Sequence, residues 1–143
     1  MLTDQSQQAL CFEYWGKAQS QSEQAGADYH LLVYHCLDVA AVGQAILDAN
    51  TGLKSDLVSF LDITEAQLSS VFSFMLTLHD LGKFASAFQK LYLNTSSDLY
   101  RPINCHDYDG KNFRHDRLGL YFWKLIQGDV LAAVIGSDQL ERR

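Results

Sequence analysis

Proline is almost missing from this sequence: Pro102 is the single example in 143 residues, and glycine is held to nine. A chain so poor in the residues that punctuate short turns favours long helices over many short strands. Cysteine is scarce too. Cys11, Cys36 and Cys105 form no CxxC and, being three, do not all pair. That argues against a disulfide framework and for a reduced, cytoplasmic setting. No continuous apolar run approaches the roughly 18 residues of a membrane-spanning helix. The polar start, Met1-Leu2-Thr3-Asp4-Gln5-Ser6, lacks the basic-then-apolar order of a signal peptide, so no membrane association is expected. Positive charge is the last shortage. Residues 1–82 carry two Lys or Arg against ten Asp or Glu, whereas residues 83–143 carry nine against seven. A net charge of −6 argues against a general nucleic-acid coat, yet the late clustering of cations permits a local phosphate site.

What is present suits a single globular domain, 1–143, since 48% of residues are apolar and 20% charged. The apolar spacing predicts a first helix over 5–19 with Leu10, Phe12, Tyr14 and Trp15, then a polar loop over 19–26. Asp28 is expected to cap a long helix running to about Asn50, with Leu32, Cys36, Val39, Val42 or Gly43, and Ile46 as its inward stripe. Asn50-Thr51-Gly52 reads as a helix stop. Thr64 and Gln67 form a capping-box pattern opening a helix whose stripe is Leu68, Val71, Phe72, Met75 and His79, with Gly82 ending it. A helix over 84–93 turns Phe84, Phe88 and Leu91 inward. Residues 94–112 read as loop. A last strong helix covers about 113–127, with Leu118, Tyr121, Phe122 and Leu125, before a short apolar piece from Val130 to Ile135. No strand is expected, and the fold class is all-α.

Three histidines carry the chemical interest. In His79-Asp80-Leu81-Gly82-Lys83, an imidazole and a carboxylate stand together at a helix end, Gly82 lets the chain turn away, and Lys83 offers a cation for a phosphate. His35 lies on the long helix with Asp38 at i+3, positioned to orient its ring. His115 opens the last strong helix between Arg114 and Asp116, with Arg117 following. Each has an ordinary structural reading as well: hydrogen-bonded core histidines for His79 and His35, a dipole-favoured helix start for Asp116. His30 reads as a surface or capping residue, and Cys105-His106-Asp107 as a turn. Together, three helical histidines, each beside or one turn from an aspartate, point to a metal site. Mixed imidazole and carboxylate donors suit Mn, Fe, Co, Ni or Zn rather than Ca. Such an ion lowers the pKa of bound water for attack on phosphorus, giving phosphoester hydrolysis.

His79-Asp80 following a helix that holds His35 resembles the HD phosphohydrolase superfamily. The surrounding words are similar to the HD nucleases of type I CRISPR-associated helicase-nucleases: Tyr14-Trp15-Gly16-Lys17-Ala18, the helix from His30 to Val42, His79 to Phe84 with the trailing Phe88-Gln89, and Phe113-Arg114-His115-Asp116. The resemblance runs from about residue 12 to about 135. It implies a compact helical bundle that cuts single-stranded DNA in antiviral defence, joined to or partnered by a helicase and serving a CRISPR effector complex. It further implies His35, His79, Asp80 and His115 as metal ligands, with Asp80 between two ions, and Asp80 and Lys83 as catalytic residues. Lys83, Arg114 and Arg117 would meet substrate phosphates. The family places two adjacent histidines after a segment like Ala132-Ala133-Val134-Ile135-Gly136, where this sequence has Ser137 and Asp138. The sequence also stops before the helix bringing the last aspartate ligand, so a domain lacking its C-terminal part, with one ion rather than two, is the expectation. Two further readings stand beside the nuclease: a catalytically crippled copy that binds the effector complex or helicase as a regulator or decoy, and a nucleotide phosphohydrolase.

Overall fold

The computed structural model describes residues 10–18, 28–92 and 98–135, excluding the side chains of 131–135. Among the described residues five α-helices dominate: α1 Leu32–Ala49, α2 Thr51–Leu61, α3 Glu65–Thr77, α4 Ser86–Gln89 and α5 His115–Ile135. The all-α expectation holds apart from one small sheet, in which β1 (Trp15–Ala18) pairs antiparallel with β2 (Tyr29–Leu31).

That sheet corrects the reading of the N-terminal region. Within the predicted first helix, Leu10 is helical, but the chain then forms a 3-10 turn at Cys11–Glu13 and β1. Residues 5–9 of that prediction, and the predicted loop over 19–26, lie outside the described residues. Tertiary contact overrides local helical spacing here. The Leu32 N–H donates to Tyr14 O at 2.7 Å, and Gly16 passes so close to α1 that a Cβ there would stand 2.8 Å from Leu32 Cα. Asp28 does not cap α1: the N-cap is Leu31, without a side-chain cap bond.

Asn50 does end α1, but it also begins α2, a helix missing from the sequence reading. Its backbone leaves helical geometry (φ −106°, ψ 75°) while its side chain accepts from Leu53 N. One residue thereby closes one helix and caps the next, and Gly52 lies inside α2 rather than at a stop. The capping box at α3 forms as expected, with Thr64 Oγ1 accepting from Gln67 N and Gln67 Oε1 from Thr64 N. Two further bounds differ. The helix predicted over 84–93 is reduced to α4, and α5 continues through Gly128 to Ile135, absorbing the separate apolar piece. The loop reading holds for 98–112, whereas 94–97 lie outside the described residues.

Packing positions the site. α1 lies along α3, and α5 lies against the 3-10 turn Leu81–Phe84. The buried face of α1 is Leu32, Cys36, Ala40 and Leu47, rotated from the predicted stripe so that Val42 and Ile46 remain exposed. These two, with Val39, Gly43, Phe72 and Leu76, line an open apolar groove of about 380 Å³ between α1 and α3. Val71 and Met75 on α3, Leu91, and Tyr121 and Leu125 on α5 are likewise exposed rather than inward. A second cluster joins Trp15, Phe88 and Leu99 beneath the sheet. α1 also has a mean hydropathy of 1.3 over 18 residues, meeting the length and composition of a membrane span that run-lengths alone did not reveal. Its polar His35, Asp38 and Gln44 are engaged with neighbouring side chains.

Leu47 is 1% exposed, so Leu47→Ala should cost about 2–5 kcal/mol in urea denaturation, the range for a buried leucine leaving a cavity. A loss below about 1 kcal/mol would contradict the packing of α1 described here.

Candidate metal centre

α3 ends at Thr77, and the chain tightens through Leu78 into the 3-10 turn that begins at Leu81. His79 and Asp80 therefore sit between helix and turn, with Asp80 only 4% exposed. A buried carboxylate needs partners, and Asp80 is surrounded by them. Oδ2 lies 3.0 Å from His35 Nε2, 3.0 Å from His79 Nε2 and 2.7 Å from Lys83 Nζ. Oδ1 faces His115 Nε2 at 3.5 Å. Residues separated by up to 80 positions in sequence thus converge on the two oxygens of one side chain.

The ring positions are held from behind. His79 Nδ1 lies 2.6 Å from the Leu76 carbonyl, which only accepts, so Nδ1 carries a proton. In neutral His79 this leaves the Nε2 lone pair directed at a carboxylate oxygen, and two acceptors at that separation repel unless a positive species lies between them. A proton or a metal ion answers that need. His115 is placed through Tyr108, whose hydroxyl accepts from His115 N at 3.0 Å and lies 3.4 Å from His115 Nδ1. Lys83 is fixed at both ends of its charge: besides Asp80, its Nζ donates to Gly16 O at 2.9 Å.

These contacts set the protonation states. Burial would raise the Asp80 pKa, but the Lys83 hydrogen bond and charge, with the charges of His79 and His115, outweigh it and hold the carboxyl below its usual range. The His35 pKa is lowered by burial and by the Lys83 charge, against the opposing pull of Asp80. His35 is therefore biased towards the neutral imidazole that a metal ion requires. Cys36, buried beside this group, has its thiol pKa raised by burial and by Asp80.

The donor set fits a divalent ion. Donors about 2.1 Å from one centre stand roughly 3.0–3.4 Å apart in octahedral or tetrahedral coordination. Each histidine of the pair lies 3.0 Å from Oδ2, and the three donors of His35, His79 and Asp80 all fall within 4.8 Å of one another. His115 lies on the opposite oxygen, outside that triplet.

Of the remaining sequence candidates, Asp38 does not orient His35: it pairs with His30 at 3.5 Å, and Asp80 takes the His35 ring instead. Arg114 is exposed and pairs with Asp116 at 3.3 Å, and Arg117 is exposed beside them at the start of α5. Cys105-His106-Asp107 form no turn, and Asp107 pairs with Lys90; the turn follows at 110–112, where Asp109 Oδ1 accepts from Lys111 N and Asn112 N. Ser137 and Asp138 lie outside the described residues. Sequence reading missed Tyr108 and the Gly16 carbonyl, because neither a loop tyrosine nor a backbone oxygen has a pattern. Gly82 matters for a different reason than expected. It lies inside the 3-10 turn, where a Cβ would fall 1.8 Å from His115 O and 2.6 Å from Gly119 N. Its lack of a side chain lets α5 reach the turn and bring His115 to Asp80.

A mostly helical chain that gathers two histidines and the aspartate following one of them at a helix end is a helical domain with a histidine–aspartate group that could hold a metal ion. The comparisons agree with that class and narrow it. The family model described as "Cas3, HD domain" matches residues 15–139, and the chain belongs to that family. It is 34% identical over 116 residues to the CRISPR-associated endonuclease/helicase Cas3 of Escherichia coli (strain K12). The match takes in 77% of this chain and 13% of that protein, so the chain spans a small part of its relative's length. No solved structure matches it.

Two outcomes follow from the geometry. Gly82→Ala should destabilise the protein by about 1–3 kcal/mol in chemical denaturation, because the added methyl meets backbone rather than a side chain that can move. Wild-type stability would contradict the close approach of α5. For Asp80, a folded pKa below its ordinary 3.8 means that its stabilisation is present above about pH 3.8 and lost as pH falls through the lower folded value. In chelator, the stability gap between wild type and Asp80→Asn should be widest near neutral pH and shrink below about pH 3.8. A gap independent of pH would show that the carboxylate is not held ionised by its neighbours.

Proposed function

We propose that this domain is a metal-dependent phosphodiesterase acting on single-stranded DNA, working in the cytoplasm with a CRISPR effector complex and a helicase in antiviral defence. One observation carries the proposal: His35, His79, Lys83 and His115 all converge on the two oxygens of Asp80. Membership of the Cas3 HD-domain family and similarity to the Escherichia coli endonuclease/helicase support the nuclease reading.

His35, His79 and Asp80 Oδ2 would hold one divalent ion, and nitrogen-plus-oxygen donors favour Mn, Fe, Co, Ni or Zn. His115, on Oδ1, would have only the shared Asp80 carboxylate beside it for a second ion, too few donors for tight binding. Bound by His35, His79 and Asp80, such an ion supplies Lewis acidity and water activated near neutral pH. The protein does the rest. The Leu76 carbonyl keeps His79 Nδ1 protonated, presenting Nε2 to the ion. Burial biases His35 towards the neutral form and keeps Asp80 largely free of competing water. Lys83 holds Asp80 ionised while its ammonium remains beside the reaction centre, available to a phosphate oxygen. Arg114 and Arg117, exposed next to His115, would orient the phosphates on either side of the scissile bond.

The exposed apolar residues Val42, Ile46, Val71 and Met75 favour a second reading in which the chain binds the effector complex or helicase as a regulator, without turnover. Cleavage separates the two. With Mn(II), Co(II) or Ni(II), wild type should cut single-stranded DNA, and Asp80→Ala should lose at least about a hundredfold in rate, as removal of a shared metal ligand demands. Wild-type protein that binds an effector complex but neither metal nor cuts DNA would support the regulator and contradict the nuclease.

A further inference from the structure

Gln89 is the most deeply buried polar side chain among the described residues, at 1% exposure, yet it lies outside the metal-site geometry. An amide is costly to bury unless its hydrogen-bonding groups are used. Here they are. Oε1 accepts from Trp15 N at 3.1 Å, while Nε2 donates to Trp15 O at 3.0 Å and to Lys83 O at 2.7 Å. The Gln89 backbone oxygen accepts from Trp15 Nε1 at 3.1 Å. This single residue therefore joins β1, at Trp15, to the 3-10 turn, at Lys83.

Those two places bracket the Lys83 side chain. Lys83 starts from the backbone that Gln89 holds, and its Nζ ends on the carbonyl of Gly16, next to the Trp15 peptide that Gln89 also holds. Phe88 completes the arrangement. Its ring stacks on Trp15 at 4.9 Å and lies under Lys83 Nζ at 5.7 Å. We propose that Gln89 is the positioning residue for Lys83: its amide fixes both ends of the lysine's span and so sets the ammonium on Asp80 Oδ2. It touches neither Asp80 nor the histidines in any contact described, and it acts through Lys83. The consequence for metal chemistry rests on the function proposed above, whereas the positioning itself does not.

The test needs no metal. In chelator-treated protein, the rate at which Lys83 is methylated by formaldehyde and borane is measured by peptide mass spectrometry and compared with Lys54. Lys54 is the control because its side chain is similarly shielded, 19% exposed against 13% for Lys83, and ion-paired with Asp48 and Glu65 away from Gln89. Gln89→Met, similar in size but unable to make the three amide bonds, should raise Lys83 methylation at least about fivefold, the effect of losing one or more buried hydrogen bonds, and leave Lys54 unchanged. An equal rise at both lysines would show general loosening and overturn the proposal, as would no rise at either. Should Gln89→Met fail to fold, Gln89→Glu decides in the same way, since it keeps an acceptor for Trp15 N but loses both donations at neutral pH. Failure of wild type to bind Mn(II) would overturn the metal reading and leave the methylation result standing.

Discussion

A single buried carboxylate organises this protein. Asp80 is almost removed from water, a position that costs an ionised group heavily unless opposite charge or donors surround it. Lys83 supplies the charge at 2.7 Å, and His35, His79 and His115 close the remaining directions. Each partner comes from a different piece of chain: α1, the end of α3, the 3-10 turn and the start of α5. The packing of those elements and the solvation of Asp80 are therefore one constraint. Any shift that separates α1 from α3, or lifts α5 from the turn, leaves a buried charge short of a partner.

The backbone near the site is shaped to permit that convergence. Gly16 lets β1 cross the start of α1, placing a carbonyl where Lys83 can reach it. Gly82 lets α5 reach the turn at a distance that excludes any Cβ. Neither glycine takes an unusual backbone conformation; both are places where two chains come too close for a side chain. The site is thus built by close approach between elements more than by turn chemistry. The apolar groove runs between the same two helices, α1 and α3, and Val42, Ile46 and Met75 on them stay exposed.

Much of this was legible in the sequence. His79-Asp80, His35 and His115 could be picked out because helical spacing and paired residue types signal chemistry, and the words around them carried a family resemblance that the comparisons bear out. The capping box at Thr64 was legible because it is a local device, complete within four residues. What was not legible depends on distant partners. β1 read as helix because Leu10, Phe12, Tyr14 and Trp15, which lead into it, have helical spacing, and only the pairing with β2 and the crossing at Gly16 make it a strand. α2 was missed because Asn50-Thr51-Gly52 looks like an end, although Asn50 caps a beginning as well. The pairing of Asp38 with His30 rather than His35 turns on which way α1 faces, and the inward stripe was misjudged for the same reason.

Asp80 Oδ2 is the meeting point for a cation: Lys83 reaches it at 2.7 Å, and His35, His79 and Asp80 together could hold a divalent ion. Anomalous X-ray diffraction from crystals grown with Mn(II) tests it most directly. The predicted result is an anomalous peak within coordination distance, about 2.0–2.3 Å, of His35 Nε2, His79 Nε2 and Asp80 Oδ2. A map with no peak at those three atoms, or with the ion bound elsewhere while Lys83 still holds Asp80, would contradict it.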